Sequence, residues 1–320
     1  MYNFFQSLTN VIKIIISPII FFLGYALFVF TGKTSNIVYQ AYVKSYCYTS
    51  GLITSLISYL ISFFNKNKMR FLYLNTKNDK INNELKDNGY VVFDENLNEE
   101  LTEELINLTK ILKCTNNQID KKIPKVFFDE NTHTLPSYYY DEKELLNTDI
   151  VKKVIKLFNN FKISHNYFKS KPYLISVNMW WSTKSNKVDT FSAQDYHFDL
   201  DGIKWLKYFV YLTDVTIESG PHTYVSGTHK PFSKPFSILK RGYKRISDEE
   251  ILSNYGTERI KQIVGNKGTI IVGDTSCFHK GMVPKKRHRL IFEATFSNSL
   301  FGPGIINKPA INEIDNQIKY

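Results

Sequence analysis

The sequence predicts a mainly β fold of the sandwich or jelly-roll kind, preceded by helices. Three observations predict it. From Tyr173 onward, short apolar runs rich in aromatic and β-branched residues recur, separated by turn signals such as Glu218-Ser219-Gly220-Pro221. Before Tyr173 the periodicity is helical instead. The chain is 43% hydrophobic and 15% aromatic over 320 residues, enough for a sizeable core.

Positions 1–75 form an apolar, basic helical segment. Ile14 to Thr31 is an uncharged run flanked by Lys13 and Lys33. Ser45 to Asn65 is a second uncharged run, followed by Lys66, Lys68 and Arg70. A membrane span needs about 20 apolar residues, so both stand near the threshold. In the second, Leu52, Leu56, Leu60 and Phe64 recur at helical spacing with serines and a threonine between them, an amphipathic pattern. Three readings stay open for positions 1–75: a membrane anchor, an interfacial hairpin, or core helices packed on the rest of the chain. No acidic residue precedes Asp79, and that stretch carries +7 of the net +11. Charge placed beside apolar runs suits a membrane surface better than nucleic acid, so no nucleic-acid partner is expected. If the segment spans, its trailing basic cluster puts the domain that follows on the cytoplasmic side. A secretory signal and a mitochondrial transit peptide are not expected, since no clean cleavage site follows and the first arginine is Arg70.

Positions 76–300 form the second expected unit, and 301–320 a tail. Lys80 to Lys86 reads as a short helix, Asp87-Asn88-Gly89 as a turn and Tyr90 to Phe93 as a strand. Asn98 caps a helix from Glu99, with Leu101, Leu105, Leu108 and Leu112 on one face. Positions 115–149 read as irregular, and Val151 to Phe161 as an amphipathic helix. Strands are expected at Leu174–Trp181, Asp195–Asp199, Leu206–Asp214, Thr223–Ser226, Gly268–Gly273 and Arg289–Phe296. The cysteines, Cys47, Cys114 and Cys277, are too few and too scattered for a disulfide framework or a zinc ribbon.

The chemistry concentrates in His197-Phe198-Asp199. On extended backbone, residues two apart point to one side, so imidazole and carboxylate converge. They are two thirds of a 2-His-1-carboxylate set, the usual cradle for non-haem Fe(II). His279, far beyond Asp199 in the chain and just after an apolar strand, can supply the third ligand. A little further on Arg289 opens another strand, and a guanidinium there can clamp the far carboxylate of a 2-oxo acid.

From about Leu85 to Ser297 the chain resembles the phytanoyl-CoA dioxygenase family of Fe(II)/2-oxoglutarate oxygenases. The resemblance rests on Gly89-Tyr90-Val91-Val92-Phe93, on His197-Phe198-Asp199, on Gly220-Pro221 with Val225-Ser226-Gly227-Thr228-His229, and on Gly268-Thr269-Ile270-Ile271, His279-Lys280-Gly281 and Arg289. Ser226 stands where the family more often has proline. The resemblance implies a double-stranded β-helix of the jelly-roll or cupin kind. It implies His197, Asp199 and His279 as iron ligands and Arg289 as the 2-oxoglutarate contact, with Arg287 as the fallback. Asn178 is expected as a second cosubstrate contact, with Phe209 packed beside it. Fe(II), 2-oxoglutarate and O2 are the implied cofactor set, and a small-molecule or lipid substrate the implied partner. Related halogenases lack the carboxylate, so Asp199 points to hydroxylation. Two other readings are a catalytically silent binding module of the same fold and an oxygenase acting on a protein side chain. The basic segment Lys230 to Arg245 reads as a solvated loop or as an electropositive rim for an anionic substrate.

Overall fold

The computed structural model describes residues 2–65, 79–115, 124–132, 135–185 and 194–302. The basic cluster Lys66, Lys68 and Arg70, the expected linker at 75–78, His133 and most of the tail lie outside these residues.

Three helices open the chain: α1 (Tyr2–Thr31), α2 (Asn36–Thr49) and α3 (Leu52–Asn65). The run Ser45–Asn65, read as one apolar stretch, is therefore not one helix. Ser50 and Gly51 adopt left-handed backbone (φ 49° and 78°), and the Ser50 N–H caps back onto the Tyr46 carbonyl. That ends α2, and α3 leaves at a bend of 110°. Among the described residues no single helix is long and apolar enough to cross a membrane; α2 and α3 pass that test only as a bent pair. These helices pack on the β region. Phe21, Tyr42, Tyr46 and Ile57 share one buried cluster with Phe198, Trp205, Phe278 and Phe301. The Tyr42 hydroxyl donates to the Gly202 carbonyl (2.5 Å).

Next come α4 (Asp79–Asn88), β1 (Tyr90–Val92), α5 (Glu99–Ile111) and β2 (Cys114–Thr115). Gly89 joins α4 to β1 at φ 83°, and a Cβ there would stand 2.4 Å from the Cys277 sulfur, so the turn needs glycine for both reasons. Asn98 caps α5 as expected, accepting from the Glu100 N–H at 2.7 Å.

The stretch expected to be irregular holds β3 (Ser137–Tyr140) and α6 (Glu142–Leu146). Asp141 caps α6 by accepting from the Lys143 and Glu144 N–H groups. Tyr138 and Tyr140 are buried while Tyr139 faces the other way. Three identical residues hide that alternation from a hydropathy reading. α7 (Asp149–Asn160) and α8 (Ile163–Phe168) follow.

The remaining elements are β4 (Tyr173–Ser182), β5 (Trp205–Tyr211), β6 (His222–Val225), α9 (Phe236–Leu239), α10 (Asp248–Tyr255), β7 (Ile260–Ile263), β8 (Ile270–Gly273), β9 (His279–Gly281) and β10 (Arg289–Ser297). Two antiparallel sheets result, in the orders β1-β8-β5-β10-β4-β3-β2 and β7-β6-β9. They pack face to face: Phe209, Tyr211, Ile271 and Ile291 of the large sheet meet Tyr224 and Ile263 of the small one. The outer face of the large sheet is covered by α5, α7 and α8, through Leu105, Val154, Phe158 and Phe168.

The strand expected at Asp195–Asp199 is not a regular strand. Its backbone bonds go to three places: Tyr196 to Ile246, His197 to His279, and Asp199 to Thr275. The segment threads between elements at the open end of the sandwich rather than running beside one of them.

Candidate metal centre

Three strands of the large sheet aim polar side chains into the space between the sheets. Register places them in rows: Ser182 beside Arg289, Trp180 beside Ile291, Asn178 beside Glu293, and Phe209 beside Glu293 on the other flank. From the small sheet His222 and His279 face the same space, a cavity of about 290 Å3.

His197 and His279 are paired through their backbones, with N–H to carbonyl distances of 3.0 and 2.8 Å in the two directions. Their rings lie 4.3 Å apart between centroids. Each Nδ1 sits 2.9 Å from the carbonyl two residues earlier, Asp195 for His197 and Cys277 for His279. A carbonyl only accepts, so each Nδ1 carries its proton and each Nε2 turns a lone pair inward. His197 Nε2 is 3.7 Å from Asp199 Oδ1, and His279 Nε2 is 3.5 Å from Asp199 Oδ2. One ligand atom from each residue falls within 4.8 Å of the others, and all three residues are buried.

The charge states suit metal binding. Burial, then the neighbouring His279, pushes the His197 pKa down to about 3, and burial lowers that of His279. Both imidazoles are thus neutral donors. Burial opposes ionisation of Asp199, but Lys207 and then the two histidines outweigh it and hold the carboxyl well below its ordinary range. Lys207 donates to Asp199 Oδ2 at 2.9 Å and reaches Asp201 at the same distance. Burial works against its charge too, and Asp199 and Asp201 together raise its pKa.

Arg289 lies further along the cavity and is fully enclosed. Its Nη2 donates to Ser182 Oγ (3.2 Å), while Nε and Nη1 are buried with no partner among the described residues. Leaving donors of a buried cation unmatched is costly, and a bound carboxylate answers that cost. Gly281 keeps the approach open: a Cβ there would stand 2.9 Å from Nη2. Arg287, the alternative clamp, is exposed and faces away from this cavity.

All six residues singled out in the sequence line the cavity. Asn178 donates to Glu293 Oε1 at 3.1 Å, and Phe209 packs on His222 with centroids 4.5 Å apart. Sequence reasoning missed Lys207 and Glu293, and placed His222 near the same strands without giving it a role. Each had a signal: Lys207 and Glu293 are lone charges inside apolar strands, and His222 alternates with Tyr224. The basic segment divides. Lys234 is buried against the Thr228 carbonyl and Tyr46, Arg241 pairs with Glu250 at 2.7 Å, and Arg245 lines the cavity with Tyr243. His229 holds a turn, its Nε2 being 3.2 Å from the Lys86 carbonyl. Cys277 is buried, and burial pushes its thiol up to about 12, away from any redox role at neutral pH.

No protein-family model matches the chain, and no curated protein does. Several solved structures resemble it. HygX from Streptomyces hygroscopicus, with nickel, 2-oxoglutarate and hygromycin B bound, is 16% identical over 70% of this chain and 87% of its own, with a TM-score of 0.45. The non-heme alpha ketoglutarate dependent epimerase SnoN from nogalamycin biosynthesis is 15% identical over 68% and 79%, with a TM-score of 0.46. EctD from S. alaskensis with bound Fe is 13% identical over 69% and 76%, also with a TM-score of 0.46.

Proposed function

We propose that this protein is an Fe(II)/2-oxoglutarate-dependent oxygenase that hydroxylates a small-molecule substrate. The reading takes the sandwich as a double-stranded β-helix of the phytanoyl-CoA dioxygenase kind. One observation carries it: two neutral imidazoles and one carboxylate converge in a buried cavity that also holds an arginine with unmatched donors.

His197, Asp199 and His279 would hold the iron. When bound, it supplies the activation of O2, with 2-oxoglutarate as the electron source. The balance is substrate C–H, O2 and 2-oxoglutarate going to C–OH, succinate and CO2. The protein's own part is positional. The Asp195 and Cys277 carbonyls fix both ring orientations. Lys207 keeps Asp199 anionic and fixed in orientation. Arg289 receives the distal carboxylate of the cosubstrate in the space that Gly281 leaves. Trp180, Phe209 and Ile291 form the apolar part of the cavity wall. Tyr243 and Arg245 line the same cavity and orient the substrate. With Asp199 present, halide has no vacated position, which favours hydroxyl transfer over halogenation.

The test is metal analysis of anaerobically prepared protein, followed by succinate release in O2, with His197→Ala as control. Stoichiometric iron and His197-dependent succinate are expected. Protein that binds no iron under these conditions sinks the reading. Product analysis of metabolite extracts incubated with active and His197→Ala protein then separates hydroxylation from epimerisation.

A further inference from the structure

A second cavity, about 420 Å3, lies between α3 and the β region, apart from the candidate metal centre. Its α3 wall is hydroxylic, with Thr54, Ser55, Ser58 and Ser62 facing in. Its other walls bring four lysines together from four separate segments: Lys86 on α4, Lys169 after α8, Lys204 before β5, and Lys230. Such convergence of like charge is unfavourable without a counter-charge. The lining carboxylate, Asp274, is already committed. It accepts from the Tyr167 hydroxyl (2.8 Å) and from the Ser276 N–H and hydroxyl (3.0 and 2.6 Å). Lys230 has a long, exposed pairing with Asp87 at 3.8 Å.

Lys204 shows the crowding. It donates to the Tyr167 carbonyl (3.3 Å) and lies over the Tyr167 ring, 3.9 Å from its centroid. Burial lowers its pKa; Asp274 offsets part of that, and the like charges of Lys169 and Lys86 add to it.

A second stripe on α3 adjoins the hydroxylic one. Leu52, Leu56, Tyr59 and Phe63 recur at helical spacing and are each about half exposed or more, and Tyr59 also lines the cavity.

We propose that this cavity is a binding site for the phosphate group of a phosphate ester. A doubly charged tetrahedral oxyanion matches the excess of lysines over carboxylates and the hydroxyls of Ser55 and Ser58; those of Thr54 and Ser62 already donate to the Gly51 and Tyr59 carbonyls. The exposed stripe of α3 offers contact to an apolar chain on the same ester. The ester is a phosphate monoester, either phosphatidic acid in a membrane or a free phosphorylated metabolite, and the two share this chemistry. The site is independent of the oxygenase reading, since none of its lysines touches the His197–Asp199–His279 cluster.

The experiment uses the full chain in two arms. Calorimetry measures binding of inorganic phosphate. Co-sedimentation measures binding to phosphatidylcholine vesicles with and without phosphatidic acid. The variants are Lys86→Gln/Lys230→Gln, both exposed and harmless to folding, and Lys204→Met. Binding in at least one arm, weakened about 10-fold or more by the double variant, is expected. Loss in the vesicle arm alone assigns a lipid headgroup; loss in the phosphate arm assigns a soluble ester. No binding in either arm, or binding indifferent to the double variant, overturns the proposal. Iron content measured on the same samples keeps the two readings apart: the lysine variants should retain it, and an iron-free protein that still shows lysine-dependent binding leaves this site standing.

Discussion

At the residue scale the cavity turns on a few atoms. Gly281 sits where a Cβ would stand 2.9 Å from Arg289 Nη2. Gly281→Ala therefore displaces the guanidinium without touching His197, Asp199 or His279. We expect 2-oxoglutarate to bind about 10-fold more weakly or worse, with iron content unchanged; equal titration curves for the two proteins count against Arg289 as the clamp. His165 gives a pH dependence. It is buried, and burial, then the nearby Lys162 and Lys171, push its pKa down to about 4 from 6.5. The folded state keeps it neutral while the unfolded chain takes up a proton below about 6.5. Its contribution is thus present above pH 6.5 and is lost as pH falls towards 4, worth at most about 3 kcal/mol. The Tm of His165→Gln should fall less steeply than wild type across that window, and parallel slopes would refute the assignment. At this scale the sequence was most readable where chemistry is scarce. His197, Asp199, His279 and Arg289 stood out among apolar neighbours, and the structure brings all four to one cavity. His222 was given no role because an imidazole in a strand has many ordinary uses.

At the element scale, legibility followed local signals. The Asn98 cap, the Gly89 turn and the long apolar strands are written in consecutive residues, and their elements formed within a few positions of expectation. β7 and β9 are short, and their pairing with β6 is decided by distant partners, so neither had a local signature. The break at Ser50 was missed because serine rarely marks left-handed backbone. That break allows α2 to lie on the β region, tied by the Tyr42 hydroxyl to Gly202. Tyr42→Phe removes this buried bond and leaves an unmatched carbonyl. A loss of about 1–2 kcal/mol is expected in denaturant unfolding. A midpoint equal to wild type would mean that the ring's packing alone holds α2.

At the scale of the whole molecule the N-terminal helices are covered on one side and bare on the other. Phe21 and Phe28 are buried against Tyr42 and Phe301, whereas Ile19, Leu23, Leu27 and Phe30 of α1 are more than half exposed. Composition alone could not divide these faces, because from Ile14 to Thr31 α1 is uncharged and mostly apolar, and its neighbours decide which side is hidden. The candidate metal centre, by contrast, is enclosed by both sheets, so its occupancy should be felt by the entire domain. Fe(II) at 100 times its dissociation constant adds about 2.7 kcal/mol to stability. We expect an anaerobic rise in Tm on adding Fe(II), absent in His197→Ala; equal shifts in both proteins would place the metal elsewhere.

The backbone pairing of His197 with His279 joins positions far apart in the chain. Each ring is oriented locally by the carbonyl two residues earlier, but the meeting of the two histidines depends on this long-range pairing. The ligand set is therefore a product of long-range closure, with a large loop entropy to overcome before any contact rewards it. A nascent chain halted just before His279 holds two of the three candidate ligands and none of the geometry. The candidate site is complete only once β9 has docked on β6 and met the His197 segment.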